Sequence, residues 1–256
     1  MKYLTQKWYL DCQKGHIGHS LKACDEAKER NEKYFQRLYQ ERMAEYAADY
    51  LKQVDEEQLE HKNAQEYAND RYSWRLMELD RLPARIKDDI ADIRVAALGY
   101  VTKETLERIT EFCESSRTHV KAQSQMYWDY YEKIEDSIPK RIRRSLNRQH
   151  DAHVKRIGAW KDDYIIETEY GRRDHLFTFK NADIIRDIEK IGCLTWLYEE
   201  IYLREGGYEV HVLFDASRFD RLIERKQIVL TDAIIYAEDI EVAITTHELE
   251  YHTEFL

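Results

Sequence analysis

Apolar residues recur at threes and fours through most of the first 150 positions, the spacing that lines one face of an α-helix. Thr5 stands before Trp8, Tyr9 and Cys12, which predicts a capped short helix over 5–13. Gly15 and Gly18 interrupt the pattern, and Ser20 is placed to cap a second helix running to about Val54. Its apolar stripe is Leu21, Cys24, Tyr34, Phe35, Leu38, Tyr46 and Tyr50, with Glu29, Lys33, Arg37 and Glu41 on the other face. A third helix is expected over 56–82, stopped by Pro83, and a fourth over 84–98, ended by Gly99. A fifth should run from Thr102 to Ser137, and a short one over 139–150 from Pro139.

The period changes after about residue 153. Residues 164–170 and 175–179 are rich in β-branched and aromatic side chains and read as a hairpin around Gly171. Asn181 then caps an expected short helix over 182–191. The clearest hairpin joins a strand at 194–204 to one at 208–214 through Glu205-Gly206-Gly207. Strands are expected at 228–231 and 234–236, on either side of a bend at Asp232, and the polar stretch from 241 is expected to fray. The fold class that results is α+β: a helical region over 1–150, a small antiparallel sheet with a short helix over 151–240, and a polar tail over 241–256.

Composition sharpens this picture. Only 8 Gly and 2 Pro in 256 residues favour long helices, and 35% charged residues fit a large exposed helical surface. A net charge of -10 weighs against nucleic acid as a partner, because phosphate binding wants a basic surface. Cys12, Cys24, Cys113 and Cys193 are scattered without CxxC spacing, and the opening residues lack the apolar core of a secretory leader. Reduced thiols in a cytoplasm are the expectation. No apolar run approaches the roughly 20 residues that span a bilayer, so no membrane association is expected.

Two stretches carry a resemblance. Trp196-Leu197-Tyr198-Glu199-Glu200-Ile201 with Gly206-Gly207-Tyr208-Glu209-Val210-His211-Val212-Leu213-Phe214 resembles a hairpin of an uncharacterised bacterial family, a domain of unknown function. The opening Met1-Lys2-Tyr3-Leu4-Thr5 with Trp8-Tyr9 resembles that family's start. The resemblance implies a bacterial cytoplasmic protein and brings no activity with it.

Few residues suggest chemistry. His150 and His153, three apart, would share a helix face and are the metal candidates. His247 and His252 look like a zinc-protease helix, but they are one residue too far apart to face a single metal. His16 and His19 flank a glycine, a poor metal scaffold. The run from Lys140 to Arg148 is the one concentrated basic segment, and a helix would align Arg141, Arg144 and Arg148. It suits phosphate, nucleic acid or an acidic protein face, or simply pairs with the chain's own carboxylates. Trp196, Tyr198 and Tyr202 are expected on one strand face, as a recognition surface or as core. The leading expectation is a non-catalytic protein-binding or regulatory protein. A metal-dependent hydrolase with a site assembled from distant residues is the alternative, and RNA binding through 140–148 ranks below it. No cofactor is favoured, and whether the chain is an enzyme stays open.

Overall fold

The computed structural model describes residues 1–53, 63–188, 194–216 and 228–247. It is α+β, with helices in the N-terminal half and an antiparallel sheet after them. The chain divides into two compact units. One comprises Met1–Trp8, Ala122–Arg221 and Gln227–Leu256, and the other Tyr9–Lys121 and Leu222–Lys226. Met1–Trp8 and the residues from 122 to 150 therefore group with the sheet, where the sequence assigns them to the helical region. No helix among the described residues is long and apolar enough to cross a membrane.

The helical unit holds most of α1 (Gln6–Lys14), all of α2 (Glu32–Gln53), α3 (Ala64–Asp80), α4 (Ala84–Lys87) and α5 (Ile93–Ala97), and the first part of α6 (Lys103–Ile134). Ile17, Leu79, Leu82, Ile86 and Ile109 form one buried apolar cluster, and Phe35, Leu38, Val95 and Leu98 form another. The expected helix over 20–54 is not continuous. The N–H of Lys22 donates to Gly99 and that of Cys24 to Val101, each at 2.8 Å. These bonds draw β1 (Lys22–Ala23) into a parallel pair with β2 (Tyr100–Val101). The helix restarts only after Asn31, whose side chain accepts from the N–H of Tyr34 at 3.0 Å. The expected helix over 84–98 is also two pieces. The Asp92 carboxylate caps the second by accepting from the N–H of Arg94 at 3.0 Å. Gly99 sits at φ +99, where a side chain would be strained and would also crowd the Ser20 carbonyl at 3.2 Å.

The other unit is built on one eight-stranded sheet. Its strands are β3 (Ala152–Trp160), β4 (Asp163–Tyr170), β5 (Arg173–Lys180), β6 (Asp183–Arg186), β7 (Leu194–Arg204), β8 (Gly207–Asp215), β9 (Leu230–Ala237) and β10 (Asp239–Thr246). Their order across the sheet is β10-β5-β4-β3-β7-β8-β9-β6, and every neighbouring pair is antiparallel. Trp196, Phe177, Phe179, Phe214, Val210 and Val212 are fully buried in its core. Both ends of that order meet at one corner. β5 passes into β6 through Asn181 (φ 46), and β9 passes into β10 through Glu238. There the Glu238 N–H donates to the Lys180 carbonyl at 3.0 Å, and the Asn181 amide donates to the Glu238 carboxylate at 2.7 Å.

Several sequence expectations are corrected here. Residues 183–186 form a strand rather than part of a helix, because Asp183 and Ile184 pair with Tyr236 and Ile235. Asn181 is a left-handed corner residue, not a cap. β9 runs without a break through Asp232, and residues 241–246, part of the stretch expected to fray, pair with β5, the rest of that tail beyond 247 lying outside the described residues. β3 has no counterpart in the sequence reading. The expected helix over 139–150 ends at Leu146 as α7 (Lys140–Leu146).

Candidate binding surface

The early end of α7 decides the fate of the histidine pair. His150 lies in the turn before β3, and its Nδ1 donates to the Leu197 carbonyl at 2.6 Å. Its ring leans on Tyr198 with centroids 4.7 Å apart. His153 is exposed on β3, opposite Glu169 and Thr195. A turn residue and a strand residue do not share the helix face that the i,i+3 spacing requires. Among the described residues no three His, Cys, Asp or Glu side chains are grouped to hold a metal. His247 follows a strand rather than sitting on a helix, and its Nε2 is 2.9 Å from Asp174; His252 lies outside the described residues. Cys12, Cys24 and Cys113 are free thiols, and Cys193 lies outside the described residues. Burial first, and then the Asp11 carboxylate, push the Cys12 thiol up to about 11, so it is protonated at neutral pH.

The three aromatic residues do not share one face. A β-bulge between Trp196 and Tyr198 sets Trp196 opposite Phe214 and Tyr198 opposite Leu213. Adjacent residues of β8 point to opposite sides, so the extra residue turns Trp196 away from Tyr198 and Tyr202. Trp196 is 0% exposed and Tyr202 3%, which makes them packing residues. The opening segment covers Tyr198 and Tyr202. Trp8 meets Tyr198 edge-on at 4.8 Å, and the Lys2 ammonium sits 3.8 Å over the Tyr202 ring.

Beneath that segment lies a polar centre that pattern reading misses. Glu200 is fully buried, and its carboxylate accepts the backbone N–H groups of Lys2, Tyr3 and Leu4 at 2.7, 2.7 and 2.5 Å. The Tyr202 hydroxyl donates to it at 2.7 Å. His211 Nε2 donates to Glu209 at 2.7 Å, and burial lowers the affinity of that imidazole for a proton. Asp232 receives Arg186 at 2.6 Å and the Gln6 amide at 3.2 Å. The carboxylates of Glu200, Glu209 and Asp232 are taken up by this chain's own groups, which marks them as structural, while His211 Nδ1 is buried without a hydrogen-bond partner among the described residues. The sequence signal was present in a weak form: Glu200 and His211 interrupt two otherwise apolar, alternating strands.

The basic run behaves differently. Arg143 turns to Glu135, but Lys140, Arg141, Arg144 and Arg148 are exposed, and their side chains form no ion pair or hydrogen bond among the described residues. Arginines elsewhere do find carboxylates: Arg75 with Glu78, Arg94 with Asp92, Arg156 with Glu167, Arg186 with Asp232, and Arg204 with Glu209. Ile142, Ser145 and Leu146 bury the opposite side of α7, so the helix presents its cations outward. Arg141, Arg144 and Arg148 line a depression of about 360 Å³ together with Ile244 of β10. Next to it, Arg141 and Ile142 face β10 and Leu176 across an open groove of about 570 Å³. His175, the cross-strand partner of Ile244, is 2% exposed, and neither of its ring nitrogens has a hydrogen-bond partner. Burial, and then Arg173 and Arg148, lower its proton affinity. The arrangement offers fixed positive charge beside apolar side chains, with Asp239 and Glu241 of β10 farther along the groove, which is suited to binding.

A family model described as Protein of unknown function (DUF4085) matches residues 27–223. No curated protein and no solved structure matches the chain.

Proposed function

The chain belongs to this family of unknown function, and we propose from its own residues that it is a non-catalytic binding protein whose α7 cations take an acidic segment of a protein partner. One observation carries the reading. In a chain of net charge -10, four neighbouring cations are exposed and unpaired among the described residues. Exposed carboxylates are plentiful in this chain, so cations left unpaired together form a ready site for charge-assisted bonds to an incoming acid. The groove beside them adds the apolar surface of Ile142, Leu176 and Val242 to the contact. Free thiols at Cys12, Cys24 and Cys113 suit the bacterial cytoplasm we assign to it.

The test is fluorescence anisotropy with a labelled acidic peptide and a labelled single-stranded RNA, on the native chain and on R141E/R144E/R148E. The peptide should bind the native chain, and the triple charge reversal should weaken it by about tenfold or more. RNA binding tighter than that of the peptide, and lost in the same variant, would overturn the reading in favour of nucleic acid.

A further inference from the structure

β10 is the last strand at one side of the sheet, and β5 is its only strand neighbour. The alternation of its backbone is fixed at both ends. At one end the Ile240 N–H turns to the carboxylate of Asp239 at 2.8 Å rather than to β5. At the other the His247 N–H bonds the Arg172 carbonyl at 2.9 Å, continuing the ladder. Odd-numbered residues therefore pair with β5, and the N–H and C=O groups of Val242 and Ile244 point away from it. Those groups have no partner among the described residues. An unpaired strand edge is a template for another strand, and proteins usually blunt it with charge, proline or a covering element. Here the open edge borders the groove that Pro139 and, on α7, Arg141 and Ile142 form with Leu176 and Val242, with the carboxylates of Asp239 and Glu241 at its other end. Ile244 is 45% exposed at the end where Arg144 and Arg148 stand.

We infer that the acidic partner binds in extended form, adding to the sheet as a strand along β10 within the groove beside α7. The inference rests on the acidic-partner reading above and specifies the partner's conformation. Main-chain bonds to Val242 and Ile244 would hold the segment, and its carboxylates would meet Arg141, Arg144 and Arg148. Charge complementarity at the Ile244 end selects the occupant: a neutral or basic strand would leave Arg141, Arg144 and Arg148 without an opposite charge there.

The experiment uses a fluorescein-labelled dodecapeptide of alternating glutamate and threonine, and the same peptide with its central amides N-methylated. N-methylation keeps the charge and removes the donors of a strand. The full chain is compared with Ile244→Pro, which removes one outward N–H and leaves the bonds to β5, and with R141E/R144E/R148E. Strand addition predicts that N-methylation and Ile244→Pro each weaken binding by about tenfold, and that the peptide protects the amides of Val242 and Ile244 from hydrogen exchange. If the N-methylated peptide binds as well as its parent while the triple variant binds neither, strand addition is wrong and the acidic-partner reading stands. If neither peptide binds the native chain, both fail. Should Ile244→Pro not fold, the N-methylated peptide and the exchange measurement on the native chain still decide the matter.

Discussion

Many charged side chains in the helical unit find partners within one turn, whereas two buried carboxylates of the sheet unit reach across the chain. Lys14 pairs with Asp11, Arg42 with Glu45, Lys52 with Asp49 and Arg75 with Glu78, all at i,i+3. In the sheet unit Glu200 holds residues 196–198 positions away, and Asp232 holds Arg186 and Gln6, 46 and 226 positions away. Local pairs on an exposed helix contribute a few tenths of a kcal/mol. A buried carboxylate with several donors contributes far more, because removing it strands groups that have no water to turn to. The same folding logic isolates the α7 cations: they face neither a neighbouring turn nor the buried centre.

Substitutions can break this contrast, beginning with the largest effect. Glu200→Ala leaves three backbone N–H groups and the Tyr202 hydroxyl without their acceptor. It should cost about 4 kcal/mol in denaturant unfolding, as much as a large cavity in the helical core such as Leu79→Ala. A loss under about 1 kcal/mol would mean that the opening segment is not latched as described. Glu199 comes next. Burial holds its carboxyl proton up to about pH 7 in the folded chain, against an ordinary value of 4.5 and despite a bond from the Trp196 indole. The unfolded chain releases that proton first, so stability should fall by about 3 kcal/mol as pH rises through this window. Thermal unfolding of Glu199→Gln should lack that slope. Asp92→Ala removes a helix cap and the carboxylate that orients Arg94, and should cost about 1–2 kcal/mol in the helical unit. Smallest of all, R141E/R144E/R148E should shift stability by less than about 0.5 kcal/mol, because those cations are tied to nothing. A larger destabilisation would show that they hold the fold rather than a ligand.

The helical unit was largely legible because its signal is local. Gly99, Pro83 and the stripe of α2 can all be read within one or two turns, whereas the Asp92 cap that divides the expected helix over 84–98 was not read. Reading failed at residues 22–23, where pairing with 100–101 overrides local helical spacing. In the sheet unit the hairpins around Gly171 and Gly206 were legible for the same reason: turn residues and alternation lie together in the chain. β6 and β10 were not, since each is placed by a distant strand, and β3 was missed although it forms a tight hairpin with β4. Among the candidate residues, Arg141 and Arg144 lie on α7 as helical spacing expects, whereas Arg148 follows the helix's end. Trp196, Tyr198 and Tyr202 were misgrouped because one bulged residue inverts every later side chain. Glu200 was not singled out, since its donors lie nearly two hundred positions away.

The latch on Glu200 also imposes a timetable. Residues 2–4 must wait while 196–198 further residues are synthesised before their acceptor exists. At about 5–20 residues per second that wait lasts roughly 10–40 s. Throughout it Leu4 and Trp8, both buried in the finished protein, have no sheet to cover. Each newly made chain therefore carries a sticky leading segment until β7 and β8 form. Chaperone dependence during synthesis should concentrate there.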